Sequence, residues 1–512
     1  MINGFATQEA TQELADAWSP LAYSRLGATN LMVSQAGFGG YRIAEGNPVH
    51  AQALTKALLN GINVIDTSAN YADGASEELI GRVLAELIAD RRIKREQVFI
   101  VSKVGYLQGQ NFALSQERQR AGQPFKELVP YAEEMEHCIH PEFIEDQLTR
   151  TLERLGLSTI DGYLLHNPEY YLAWADQNEM DLQKSRSEYY RRILSAFQHL
   201  ETEVRNGRIR YYGISSNTFS VSSVDMQFTS LKIVWDLSVK IDPDHHFRLV
   251  QLPFNLLEPG ATLEANQSTG QSVLQLAAEK DIGVLINRPL NAVYQDHVMR
   301  LADVAVKRRE DYNTILRKMK DVTKSETRLW RTILPAMDSL PEGIKVRIKQ
   351  QINVSDTLKH YWRNFGSYER WRQAKNGMMM PRIQGVMDFL QQHRDANPDL
   401  ASWMTDHSAC LNAAFKAVGS IYAEKAALQS QAVRQLVSAA DPDWSTEGTL
   451  SQKAIRSIRS TTGVATVLVG MRREAYVDDV LLELSRPIES QERRASWSNL
   501  RERTAAVMKD PG

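Results

Sequence analysis

The stretch Asn63-Val64-Ile65-Asp66-Thr67-Ser68-Ala69-Asn70-Tyr71 decides the fold. Its opening run is short, apolar and β-branched, and polar residues follow at once, which is the pattern of a buried parallel strand entering a loop. The same pattern recurs in Val98-Phe99-Ile100-Val101-Ser102-Lys103 and in Ile160-Asp161-Gly162-Tyr163-Leu164-Leu165-His166. In a barrel of parallel strands the downstream ends converge on one face, and chemistry is placed there on loops carried by a rigid wall. Asp66, Tyr71, Lys103 and His166 gathered on that face suggest proton transfer to a carbonyl oxygen.

Outward from these runs, strands alternate with helices. Ser34 to Gly40 reads as the first strand, and Pro48 to Asn60 as a helix with Leu54, Ala57 and Leu58 on one face. Ala75 to Ala89 is the next helix. A long polar loop covers Val104 to His140. Pro141 opens a helix, where its missing N–H costs nothing, and Gly156 stops it. A charged surface helix covers Ser187 to Asn206. Arg210 to Ile214, Leu249 to Leu252, Gly283 to Ile286 and Ala465 to Val469 supply strands five to eight. Helices at Gln271 to Glu279, Leu450 to Ser460 and Glu474 to Leu484 complete the alternation. Eight such units imply right-handed crossovers, a parallel sheet and an α/β fold of the (β/α)8 TIM-barrel class. An open doubly wound sheet is the alternative.

One stretch breaks the rhythm. Residues 296–447 carry helical patterns such as Ile383, Val386, Met387 and Leu390, punctuated by Pro335, Pro341, Pro381, Pro398 and Pro442. The stretch is too long and too apolar for a structureless loop. The expectation is a barrel over 1–295, an inserted all-helical subdomain over 296–447, barrel completion over 448–485 and a C-terminal tail over 486–512. Leaving the downstream end of strand seven, the insertion is expected on the active-site face, as a substrate-pocket lid or as a packing or docking element.

The totals narrow the function classes. The 512 residues are 43% hydrophobic and 24% charged, with a formal net charge of −2. That balance favours neither a nucleic-acid nor an anionic-membrane partner. Two cysteines, Cys138 and Cys410, fit a reducing compartment and no disulfide scaffold. No signal peptide and no spanning helix are expected, so the expected localisation is cytoplasmic. His137-Cys138-Ile139-His140 lacks further ligands at matching spacing, so no metal is expected.

The motifs then resemble a known family. Val64-Ile65-Asp66-Thr67-Ser68-Ala69-Asn70-Tyr71 followed by Ser76-Glu77-Glu78-Leu79-Ile80-Gly81 is similar to the aldo-keto reductase signature, and Ser102-Lys103 and Leu164-Leu165-His166 stand in the matching order. The resemblance covers about Arg25 to Leu290 and resumes at Ile455 to Leu484. It implies an eight-stranded barrel holding a nicotinamide dinucleotide, NADPH with NADH as the alternative, without a glycine-rich loop. It implies Tyr71 as proton donor, Lys103 as its tuner, Asp66 as partner of Lys103, and His166 as a hydrogen-bond donor orienting the substrate oxygen. A free phenol titrates near ~10, and a neighbouring ammonium is expected to lower that value.

The resemblance also implies the cofactor residues. Ser215, Ser216, Asn217 and Gln251, ending strands five and six, would meet the carboxamide. Asn287, Arg288, Pro289 and Leu290 begin the pyrophosphate loop, and Asn287 and Arg288 stand where many members carry a ring-stacking aromatic. Gly470, Met471 and Arg472 open a helix suited to the adenosine phosphate. Asp478 and Asp479 occupy the stretch where members that prefer NADPH carry a basic residue. The expected partner is a small-molecule carbonyl or sugar, with oligomeric state unreadable. A sugar dehydrogenase, or a cofactor-binding regulatory subunit like the potassium-channel β-subunit branch, is the alternative.

Overall fold

The β-branched runs form strands because each is buried on both faces and leaves its backbone only neighbouring strands to bond with. In the computed structural model, which describes residues 1–294, 297–306, 309–394 and 397–508, eight of them close a barrel. They are β1 (Ala36–Gly39), β2 (Val64–Asp66), β3 (Phe99–Val104), β4 (Ile160–His166), β5 (Ile209–Ser215), β6 (Phe247–Pro253), β7 (Gly283–Asn287) and β8 (Thr466–Val469). All neighbouring pairs are parallel, and the order β1 to β8 is the sequence order, closed by β8 on β1. The open-sheet alternative is thereby set aside.

Val64, Phe99, Val101, Leu164, Leu249, Leu285 and Leu468 fill the barrel interior together with Leu26, Leu31 and Val33. The last three belong to an antiparallel hairpin of Tyr23–Arg25 and Met32–Ser34 and its turn. On β5 the register shifts between Tyr212 and Gly213. A Cβ at Gly213 would stand 1.9 Å from the carbonyl oxygen of Leu249, so only glycine lets β5 and β6 come this close.

The helix Pro141–Leu155 stops at Gly156 in the left-handed conformation, as its sequence predicts. The segment expected as a polar loop, Val104 to His140, is instead structured. It holds the helix Gly109–Arg120 and a three-stranded antiparallel sheet of Tyr106–Leu107, Val129–Ala132 and Met135–His137. Each piece is too short and too polar to show a hydrophobic period.

The chain divides into two compact units, Met1–Asp296 with Leu436–Gly512, and His297–Gln435. The expected boundary at 295/296 lies outside the described residues. At the far side, residues 436–447 belong to the barrel unit. Trp444 is fully buried against Trp497, and the Lys453 ammonium donates to the carbonyls of Trp444, Ser445 and Thr446. The stretch expected as a tail carries the helix Arg494–Met508, whose Trp497 indole N–H bonds Thr461.

The second unit is all-helical in its described residues after Arg300, and it has two apolar cores. One gathers Trp371, Phe415 and Tyr422, the other Leu334, Leu390 and Trp403. No helix among the described residues is long and apolar enough to cross a membrane.

Candidate active site

The four residues singled out by sequence meet at the downstream ends of β2, β3 and β4. Lys103 is wholly buried, and its three ammonium protons have three acceptors. The Asp66 carboxylate lies at 2.6 Å, the Thr67 carbonyl at 2.8 Å and the Tyr71 hydroxyl at 3.1 Å. Because Lys103 donates to the phenol oxygen, the phenol's own proton is left for another acceptor. The Tyr71 and His166 rings meet edge to face, with centroids 6.1 Å apart. Tyr71 is 9% exposed and His166 8%, while Lys103 is fully buried.

The electrostatics depart from expectation at one point. The ammonium was expected to pull the Tyr71 phenol down toward neutrality. Instead the phenol is held well above its usual range, first by burial and then by the Asp66 charge. Desolvation of the phenolate is the larger cause, and the Asp66 carboxylate, paired with Lys103 at 2.6 Å, adds to it. Tyr71 therefore keeps its proton at neutral pH, the state a donor requires. Burial lowers the Lys103 ammonium, with Asp66 opposing it. His166 lies well below the ordinary imidazole range, through burial and then the nearby Lys103 charge, so it is neutral.

Gln251, at the end of β6, ties the tetrad to its neighbours. Its amide N–H donates to Asp66 at 2.7 Å, and its carbonyl accepts from Ser215 at 3.1 Å and Asn287 at 3.4 Å. The Asn217 backbone N–H donates to Glu169, which is fully buried and pushed up to about 7 by that burial. Ser216 bonds Thr218 and Thr229. Arg288 has φ +50° and pairs with Glu258 at 3.2 Å, and Pro289 is buried beside half-buried Leu290.

Near β8, Met471 is fully buried, Gly470 is exposed and Arg472 half-buried ahead of the helix Glu474–Leu484. Asp478 and Asp479 are already engaged. Asp478 pairs with Lys56, and Asp479 accepts from Thr449, Ser451 and Gln452 of the neighbouring helix start. Asp478 thus meets the helix Pro48–Leu59 and Asp479 the start of the helix Leu450–Arg459, partners that the charge pattern alone did not reveal.

Two atoms at the end of β7, Asn287 Oδ1 and Arg288 Nε, are buried without a hydrogen-bond partner. A buried polar atom without a partner costs free energy unless water or a further group satisfies it. An Asn oxygen beside Gln251 and Ser215 suits a carboxamide, and the residues present fit a nicotinamide dinucleotide. Among the described residues no cluster of His, Cys, Asp and Glu could hold a metal.

Comparison with known proteins identifies the family. The aldo/keto reductase family's sequence profile matches residues 37–327, more than half of the chain. The chain belongs to the aldo/keto reductase family. The match runs from β1 through β7 and ends inside the helix Tyr312–Arg328, so β8 of this aldo/keto reductase lies beyond it, after the helical unit.

Among curated relatives, it is 28% identical over 149 residues to the NADH-specific methylglyoxal reductase of Escherichia coli, covering 28% of this chain and 40% of that protein. It is 26% identical over 282 residues to aldose reductase B of Dictyostelium discoideum, covering 54% and 76%. Among solved structures it is similar to an aldo/keto reductase from Klebsiella pneumoniae in complex with NADP and acetate, at 20% identity and a TM-score of 0.33, covering 52% and 68%.

Sequence reasoning missed the residues that brace the tetrad. His137, weighed only as a metal candidate, is buried, titrates near about 4 because of that burial, and bonds the His166 carbonyl at 2.7 Å. Tyr106 packs edge-on to His166 at 4.7 Å and bonds Asn167 and Tyr170. Ser68 bonds the His166 imidazole at 3.1 Å and Asn70 at 2.7 Å. Ser68 and Asn70 lie within the motif that named the family, so their position was visible and their partners were not.

Proposed function

We propose that this protein is a nicotinamide-dependent reductase of aldehydes or ketones. The observation that supports it best is the Lys103 ammonium shared between Asp66, Thr67 and the Tyr71 oxygen. The bound dinucleotide would supply hydride to the carbonyl carbon. Tyr71 supplies the proton to the developing alkoxide. Lys103 stays hydrogen-bonded to the phenol oxygen as it acquires negative charge, so the stabilisation grows along the reaction. Asp66 and the Thr67 carbonyl hold Lys103 in place.

Ser215, Ser216, Asn217, Gln251 and Asn287 are the residues proposed to hold the carboxamide. Arg288, Pro289, Leu290, Gly470, Met471 and Arg472 are proposed along the phosphates. NADPH is the proposed cofactor. NADH is the alternative, since the Escherichia coli relative is named as NADH-specific.

The test is oxidation of NADPH and of NADH, followed at saturating cofactor with a panel of aldehydes and aldoses. Wild type is expected to turn over, and Tyr71→Phe to lose about 10²–10⁴-fold in kcat/KM, the span of a positioned proton donor. Equal rates in the two proteins would sink the assignment.

A further inference from the structure

Tyr71 opens a turn that needs outside support. Ala72, Asp73 and Gly74 follow it with φ +49°, +55° and +94°, three left-handed residues in succession, before the helix Ala75–Ala89 begins. That conformation suits glycine but not alanine or aspartate, and it persists only where the surroundings over-determine it. Within the turn the restraints are slight. The Tyr71 N–H reaches the Ser68 carbonyl at 3.0 Å, but the Asp73 N–H lies 3.4 Å from the Asn70 carbonyl, longer than the usual range.

The firmer hold comes from another segment. The Asp73 carboxylate leaves the turn and accepts the Gln110 backbone N–H at 3.1 and 3.3 Å from its two oxygens. That N–H belongs to the first turn of the helix Gly109–Arg120, where the helix itself has no carbonyl for it and the dipole favours an anion. Gln108, which precedes the helix, gives it no side-chain cap. A Cβ on Gly109 would stand 2.5 Å from the Asp73 carboxylate, so glycine leaves the room that the carboxylate occupies. Residues 108–110 also meet the other flank of Tyr71, for Asn70 bonds the Gln108 side chain at 3.2 Å. Tyr71 is thus held between two ties to one neighbouring segment, one residue before it and two after.

We infer that Asp73 is a positioning residue for the proton donor: it caps the helix Gly109–Arg120 and thereby fixes the turn that sets the Tyr71 hydroxyl on Lys103. The inference rests on the reading of Tyr71 as proton donor. The hydroxyl lies 3.1 Å from the Lys103 ammonium, and the ring has only edge-on contacts with Tyr41 and His166 beside it. Release of Asp73 lets the turn relax out of the left-handed region and carries the hydroxyl with it. A misplacement of about 1 Å costs about 10²-fold in rate.

Two measurements test this. The first is turnover of benzaldehyde and of propanal at saturating NADPH. Asp73→Ala is expected to lower kcat by about 10–10²-fold with KM unchanged. Asp73→Asn, which keeps an oxygen for the Gln110 N–H, is expected to stay within about threefold of wild type. In a Tyr71→Phe background Asp73→Ala is expected to cost nothing further, because it acts through the hydroxyl already removed. A wild-type kcat in Asp73→Ala, or the same loss again in the Tyr71→Phe background, would overturn the inference.

The second is NMR of the full chain labelled with ¹³Cζ-tyrosine, the Tyr71 signal being identified by its loss in Tyr71→Phe. That signal is expected to be displaced in Asp73→Ala and restored in Asp73→Asn, and an unmoved signal in Asp73→Ala would overturn the inference whatever the kinetics. Absence of turnover on both aldehydes in wild type would instead sink the reductase reading and leave the placement of the phenol to the NMR.

Discussion

The barrel unit and the helical unit spend their polar groups differently. Every non-glycine residue recorded with positive φ, ten in all, lies in the barrel unit, and none lies among the described residues of His297–Gln435. Four of the ten stand just past functional strand ends: Ala72 and Asp73 after Tyr71, Asn167 after His166, and Arg288 after β7. The barrel also buries the ions Lys103 and Asp66 and the pairs Arg95–Asp161 and Arg456–Glu483. The helical unit buries Glu326, which accepts from the N–H groups of Val354 and Ser355 at the start of a helix, along with His407 and Lys345, around cores of aromatic and aliphatic side chains. Backbone strain persists where surrounding structure over-determines it, and it clusters at sites of chemistry. The contrast teaches that, among the described residues, left-handed non-glycine backbone gathers in the unit that carries Asp66, Tyr71, Lys103 and His166.

The hardest blow to that contrast is Lys103→Met. It leaves Asp66 buried with Gln251 but without its cation, so a loss of about 3–5 kcal/mol is expected in chemical denaturation, together with loss of turnover. A variant of wild-type stability would show that the pair is not a buried ion pair in solution. Trp403→Ala probes the other side. Trp403 is fully buried with its indole N–H on the Ser325 carbonyl, and truncation is expected to cost its unit about 3–5 kcal/mol. Turnover measured below the resulting transition should keep the wild-type kcat. A fall in kcat would give the helical unit a share in the chemistry.

Acid sharpens the comparison further. His137 titrates near about 4 when folded and near 6.5 when unfolded. Its neutral form is the stable one in the fold, so its contribution is complete above pH 6.5 and is lost as pH falls toward 4. That loss amounts to about 3 kcal/mol by linkage. His137→Gln should flatten the denaturation midpoint against pH in that window, and an unchanged slope would refute the assignment. Glu169 runs the opposite way. Its folded value near 7 lies above the ordinary 4.5, so its contribution is present below 4.5 and declines as pH rises toward 7. The smallest effect is expected of Ala72→Gly. Relief of a left-handed alanine, about 1 kcal/mol, is offset by the greater freedom of glycine in the unfolded chain, for a net change within about 0.5 kcal/mol.

The sequence by itself determined the barrel and the meeting of four polar groups at the downstream ends of its strands. Strands buried on both faces must be apolar and β-branched, and polar residues at their downstream ends are forced onto one face. A period in the chain thus carries the geometry of Asp66, Tyr71, Lys103 and His166. Tertiary structure alone decided the rest. The sheet and helix within residues 104–140 are too short to show a period, and Asp478 and Asp479 look like surface charges until Lys56 and the start of helix Leu450–Arg459 arrive beside them. The contacts of Ser68 with the His166 ring and of Asn70 with Gln108 join segments far apart in sequence. Amide and hydroxyl groups both give and accept protons, so their residue types alone do not name their partners.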